Sequence, residues 1–415
     1  MGPAASDIPP RTWQYRPVRK IPQAAGLYLA VLEFIFTLGW TVYAIYLPKL
    51  AASVGIAAGT VIFILMLDQA VFTVMDFTMG VAADKVSRLV GRLGHWVAAV
   101  TLLSCIAFVT LPFVAGAQLG AVVFLTLTMT WAITSSALRA PPLMLLGKYA
   151  ARPSIPYLTS LAMLGLGVAG AVSPYLSTTL TGLDPRLPFI IASATLALAS
   201  FALAKVERSL AKQALPNSAA PQIASRKVSA PIVIFALASI VLAIGFQLHF
   251  FFNSAPVFKK FAGDLNALMP IFWIGFSIGM FPASLITKRF GGMPVMGLAG
   301  IVGAAAILVM QFAGTLELAV AAQLVAGAAW GGILMSAFAA ALAIGYTGAE
   351  GKTTGLLFSA LAIATFARMT VTATGTLSNP GLAPLVHWAP AACWAAAGIV
   401  LLALFATQSR VKEIH

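Results

Sequence analysis

Five ionisable side chains stand in stretches of this sequence that otherwise hold almost none: Glu33, Asp68, Asp76, Arg139 and Arg368. Each falls within a run of apolar residues long enough to cross a bilayer. A charge in hydrocarbon costs several kcal/mol unless it is paired, hydrated or neutralised, so each is a candidate for binding or proton chemistry. A carboxyl so placed can take up and release a proton, and a guanidinium can hold a carboxylate. At about 1.5 Å per residue, Glu33 lies ~14 Å into the first run and Arg139 ~12 Å into the fourth, counting back from Gly147. Asp68 lies ~18 Å before Gly80 and Arg368 ~20 Å into the eleventh run. Asp76 is nearer the surface, where it is expected to brace the bases that follow it.

Uncharged polar and aromatic residues add a second tier. Gln247, His249 and Asn253 share the seventh run, with His249 and Asn253 one helical turn apart. Trp40, Tyr43, Trp131, Thr134, Gln323 and Trp330 fall on the first, fourth and tenth runs and suit an aromatic, partly polar cavity; each alone is more readily a packing or interface-belt residue. The small residues of GLGVAGAVSP (Gly165–Pro174) favour close helix contact and a bend. His95, His249, His387 and His415 have no metal-ligand spacing. A phosphate-binding glycine loop with its lysine is missing, so ATP is not the evident energy source. No cofactor, metal or enzymatic activity is expected. Cys105 and Cys393 fall in different runs and read as packing residues.

The elements that position these residues follow from composition. The chain is 60% hydrophobic and 9% charged over 415 residues, more apolar surface than a soluble protein of this length can bury. Apolar runs of about 20 residues or more recur at roughly 25–48, 54–83, 95–115, 117–145, 155–177, 187–206, 230–253, 265–288, 293–313, 316–346, 354–375 and 387–408. None alternates with period two, which disfavours a barrel. An all-α membrane protein with twelve transmembrane helices is expected. Residues 1–24 read as a cytoplasmic tail, not a signal peptide. Residues 207–229 (ERSLAKQALPNSAAPQIASRKVS) read as a central cytoplasmic linker between bundles at 25–206 and 230–408, with a second tail at 409–415.

The net charge of +14 is distributed by topology. With the amino terminus inside, nineteen of the 25 lysines and arginines fall in cytoplasmic segments; Lys49, Arg186, Lys259 and Lys260 fall outside. The positive-inside rule then puts both termini in the cytoplasm, in a cell inner membrane. The excess base suits an anionic lipid leaflet, and no nucleic acid is implied. The halves also echo each other: LGWTVYAIYLPKL (Leu38–Leu50) and IGFQLHFFFNSAPVFKKF (Ile244–Phe261) both run from glycine through aromatics to proline and lysine. SLITKRFGG (Ser284–Gly292) keeps the bases and glycines of GVAADKVSRLVGR (Gly80–Arg92) without its acid.

That last segment, with Gly80, Asp84, Lys85, Arg88, Gly91 and Arg92, resembles the loop between helices two and three of major facilitator superfamily transporters. Extended upstream to Asp76, it resembles the melibiose-type glycoside–pentoside–hexuronide branch. It departs from that branch where Phe77 replaces a proline and Phe72 replaces the cation-site acid. The resemblance implies two pseudo-symmetric six-helix bundles, with Asp76, Gly80, Asp84 and the loop bases as a cytoplasmic latch. It implies that helices one and four line a central cavity, where Glu33 and Arg139 would pair or bind substrate and proton. Helices two and eleven would meet at the seam, where Asp68 and Arg368 would form a gate, unless Asp68 is the protonation site. The function it implies is secondary transport by alternating access. Retained acids and the missing two-acid sodium site favour proton-coupled symport of a small organic solute such as a sugar, an amphiphilic organic acid or a siderophore-like molecule. The alternatives are proton-coupled efflux of drugs or metabolites, and a non-transporting assembly or sensing factor on the same scaffold. A monomer is expected.

Overall fold

A computed structural model describes residues 22–89, 93–213, 230–345 and 348–413. Most of the expected amino-terminal tail and linker, and the loop residues Gly91 and Arg92, lie outside them. Among the described residues every regular element is helical. Twelve helices are long and apolar enough to cross a membrane: α1 (Gln23–Ser53), α2 (Ala58–Ser87), α3 (Leu93–Gly116), α4 (Ala121–Tyr149), α5 (Arg152–Leu180), α6 (Arg186–Lys212), α7 (Ile232–Lys260), α8 (Leu265–Phe290), α9 (Gly292–Gln311), α10 (Leu316–Ile344), α11 (Glu350–Ala373) and α12 (Ala383–Thr407). Hydrocarbon offers the backbone no water, so an apolar run of this length satisfies its own peptide groups by coiling.

Proline decides where two of these helices are irregular. In α4 the sequence Arg139-Ala140-Pro141-Pro142 withholds two consecutive backbone donors, and the helix breaks into a 3-10 turn at Ser136–Leu138 before resuming at Ala140. In α7 the helix widens to a π turn over His249–Asn253, just ahead of Pro256. The Ser254 hydroxyl donates to the His249 carbonyl across that turn (3.1 Å).

The helices form two six-helix bundles related by a pseudo-two-fold, readable from which helices pack together. Within the first, α1 packs on α5 and α6, and α3 on α4 and α6; within the second, α7 packs on α11 and α12, and α9 on α10 and α12. Each pair maps onto its counterpart by adding six. The pairs joining the bundles obey the same rule: α2 with α11 and α8 with α5, then α4 with α11 and α10 with α5. The α6 helix runs on to Gln213, so the segment expected as linker from 207 begins inside it. The face carrying Lys85, Lys148, Lys205, Arg208, Lys288, Arg289 and Lys352 is called the basic face here.

Candidate functional site

On the basic face the two bundles touch backbone to backbone. A side chain at Gly80 of α2 would meet the Gly351 carbonyl at 2.1 Å, and one at Gly355 of α11 would meet the Asp76 carbonyl at 2.5 Å. Only glycine permits this approach. The contact brings Asp84 over the start of α11, where its Oδ1 accepts from the Gly351 amide and its Oδ2 from the Lys352 amide, both at 2.8 Å. A carboxylate thus caps the positive end of a helix from the other bundle. Lys85 is exposed beside it. The repeat's counterpart on α8 makes no such bridge: Thr287 shares a 2.8 Å hydrogen bond with Ser336 of α10, in its own bundle.

A second acid serves α3. Glu207 accepts from the Leu93 amide (3.1 Å) and the Gly94 amide (2.7 Å), and Tyr149 donates to it at 3.4 Å. Lys148, at the end of α4, donates to Ser87 of α2 and stands over the Tyr149 ring. Gly351, Gly355 and Glu207 are not foreseen in the sequence reading. The four-residue spacing of the glycines was a usable signal. Glu207 was masked by its polar neighbours.

One turn deeper, Arg139 meets Asp76, not Glu33. Its Nη1 lies 3.1 Å from Asp76 Oδ2, with Asp76 fully buried and Arg139 15% exposed. The guanidinium is sandwiched between the rings of Phe72 (4.8 Å) on its own bundle and Phe358 (5.0 Å) on the other. This corrects two expectations: among the described residues the basic partner of Asp76 is Arg139 rather than the loop base Lys85, and the ion pair of Arg139 is with Asp76 rather than Glu33. The break in α4 is the physical reason, since it seats Arg139 ahead of Pro141 and against α2. Phe72, standing where the resembled branch has an acid, instead gives a ring face to a cation. Glu33 is buried, feels the Arg139 charge, and has no cation within 4 Å among the described residues.

Asp68 and Arg368 do not meet. Tyr43 donates to Asp68 Oδ2 at 2.8 Å, while Oδ1 is buried without a hydrogen-bond partner among the described residues. Arg368 donates from Nε to Gln247 Oε1 (3.0 Å) and lies 4.1 Å over the Phe251 ring; Gln247 donates in turn to Thr365 (2.9 Å). The directions of the two side chains, more than their depths, explain the separation. With Gly80 beside Gly351 and Asp76 beside Gly355, Asp68 is level with Ile363, about five residues or ~7.5 Å deeper than Arg368. Asp68 turns into its own bundle toward α1, and Arg368 toward α7.

The remaining cavity candidates sort by burial. Tyr43, Trp131 and Thr134 are packed inside the first bundle, Tyr43 against Trp131 (4.5 Å) and Trp40 (5.4 Å), with Thr134 bonded back to Thr130. His249 and Gln323 are fully buried in the second, joined Nε2 to Oε1 at 3.0 Å, with Gln323 donating to Ser254. Trp330 is stacked between Phe246 (4.4 Å) and Trp394 (6.1 Å). Asn253 donates to the His387 carbonyl, three residues ahead of the helix proline Pro390. In this arrangement these side chains are packed within their bundles, and Trp131 also borders a small gap with Phe36, Ser104 and Phe108. Trp40 and Gln247 stay half-buried.

Two six-helix bundles closed on one face, each holding isolated charges, define a polytopic secondary transporter. The family model for the Major Facilitator Superfamily matches residues 29–369, and the chain belongs to that superfamily. Its members are transporters rather than enzymes. No curated protein matches the chain by sequence. Among solved structures, it is similar to a bacterial homologue of the iron transporter ferroportin in an outward-facing state, with 12% identity, TM-score 0.71, and 92% of this chain and 99% of that one covered. It is also similar to the human organic anion transporter MFSD10 (14%, TM-score 0.65, 92% and 99% covered). The proton:xylose symporter XylE is comparably similar (14%, TM-score 0.65, 91% and 94% covered). At these identities the likeness is one of fold. The protein is an integral, multi-pass membrane protein.

Proposed function

We propose that this transporter is a monomer that carries a small organic solute across the inner membrane together with a proton, which binds at Asp68. The observation that carries the reading is the contrast between the two acids of α2. Asp76 has a cation, Arg139, at 3.1 Å. Asp68 is as deeply buried but has no cation within 4 Å among the described residues, its partner there being the Tyr43 hydroxyl. An ionised carboxylate in that setting is costly, and a proton removes the cost. Taking that proton from one side and losing it to the other, as the bundles rock, couples solute movement to the proton gradient. Phe72, fully buried where a sodium-coupled relative would need a second acid, favours the proton over sodium. The nineteen-to-four distribution of bases supports a cytoplasmic basic face and cytoplasmic termini. The closed face then belongs to a state open to the outside.

The test uses purified protein in liposomes with a solute panel and an imposed pH or sodium gradient. Accumulation driven by inward protons is expected, with loss of gradient-driven accumulation and survival of solute exchange in Asp68→Asn. Extrusion against inward protons would replace symport with proton-coupled efflux. Gradient-driven accumulation that survives in Asp68→Asn would remove Asp68 from coupling. Absence of gradient-dependent flux for every solute would leave an assembly or sensing role on this scaffold.

A further inference from the structure

We infer that Arg368 is the binding site for a carboxylate group of the transported solute. This names the substrate class for the symport reading and rests on it only for the balance of charge. Arg139 is already neutralised by Asp76, so the two intramembrane arginines are not equivalent. Arg368 has no carboxylate within 4 Å among the described residues. Its Nε is committed to Gln247 and one of its faces to Phe251. The Nη1 and Nη2 groups have no described acceptor, and together they form the planar fork that takes two carboxylate oxygens at once.

The direction of the side chain separates this from an arginine reaching for a headgroup. Helical side chains lean toward the helix amino terminus. For α11 that is the basic face, away from the nearer membrane surface. Gln247 accepts from Arg368 Nε and donates to Thr365, whose backbone lies three residues or ~4.5 Å nearer the basic face, which ties the guanidinium toward that side. A cation drawn deeper into the membrane, without a counter-ion, is stable only where it opens on a wet cavity and finds an anion there. Phe251 is 47% exposed beside it and offers an apolar shelf to the body of the solute. The class that fits is a monocarboxylate with an aromatic or aliphatic body. One such anion at Arg368 and one proton at Asp68 cancel in charge, so transport is expected to be electroneutral.

The experiment measures binding by thermal unfolding of the full-length protein in detergent at fixed pH and ionic strength. The probes are benzoate, phenylacetate and octanoate, each beside its neutral amide, with inorganic phosphate as a headgroup mimic. At least one acid is expected to bind about 10- to 100-fold better than its amide, the range for a charged hydrogen-bonded contact. Arg368→Gln should abolish that preference and Arg368→Lys weaken it. If Arg368→Gln fails to fold, Gln247→Leu, which releases Nε but keeps the charge, should reduce the preference. Equal binding of acids and amides, absence of binding by every acid, or a preference that survives Arg368→Gln would overturn the inference. So would phosphate binding in place of the acids, which would assign the site to a lipid headgroup. Acid-selective binding without proton-driven flux would leave this site standing and remove the symport reading; proton-driven flux of neutral solutes alone would do the reverse.

Discussion

Removing the Asp84 carboxylate should open the basic face. In the closed arrangement Asp84 accepts two backbone hydrogen bonds, each 2.8 Å, from the first turn of α11, across the seam between bundles. Hydrogen bonds to a charged group contribute about 1.5–3 kcal/mol each when buried. In the open arrangement water replaces both partners, so only the difference acts on the equilibrium. A net bias of about 2 kcal/mol toward the closed face is a reasonable value once the helix-dipole contribution of up to ~1 kcal/mol is included. That corresponds to a ~30-fold shift in the ratio of the two states. Asp84→Ala should lose this bias, and Asp84→Asn, which keeps one acceptor without the charge, about half of it. Spin labels at Ser209→Cys on α6 and Lys288→Cys on α8, both exposed, in a background lacking Cys105 and Cys393, would report the separation of the bundles. The expected result is a second, longer distance population in Asp84→Ala that is minor or missing in the parent. Identical distance distributions in the parent and both variants would refute the reasoning, because the cap would then hold no conformational preference.

Two further outcomes follow from buried charge on the same side. Asp76→Asn leaves Arg139 buried between two rings without its acid and should lower stability by about 3–5 kcal/mol, read as a large fall in Tm; Asp76→Asn with Arg139→Gln should recover a good part of it, whereas equal Tm values for the single variant and the parent would show that the pair is not neutralising a buried charge. Glu207→Ala removes the cap of α3 within one bundle and should cost about 1–2 kcal/mol of stability, read as a fall in Tm, without altering the Ser209–Lys288 label distances, in contrast to Asp84→Ala.

The latch segment shows how far local sequence reaches. Gly80 and Asp84, one turn apart in an apolar chain, mark a latch through the family resemblance, but not the helix end that the acid meets. Their partner glycines, Gly351 and Gly355, carry the same spacing but sit beside Lys352 and two threonines, where the apolar pattern is interrupted. The charged pairs were harder. Depth along a helix can be counted at 1.5 Å per residue. The direction in which a side chain leaves the helix depends on phase, and a single break resets it. The break at Ser136–Leu138 is written in Pro141 and Pro142, yet which acid it would present to Arg139 depends on how α2 and α4 lie against each other.

The sequence by itself determined that this protein spans a membrane with twelve helices in two related halves, and which few residues bear intramembrane charge. The spans and their charges follow from run length and composition, properties of single segments, and the two halves from the echo of Leu38–Leu50 in Ile244–Phe261 and from the family resemblance. Only the tertiary structure decided the partnerships: Arg139 with Asp76, Tyr43 with Asp68, Arg368 with Gln247, and Asp84 with the start of α11. The physical reason is that a lone charge in hydrocarbon must find a partner, but its choice is settled by register and rotation between helices far apart in the chain, where packing of small residues and rings sets distances to within an ångström or two.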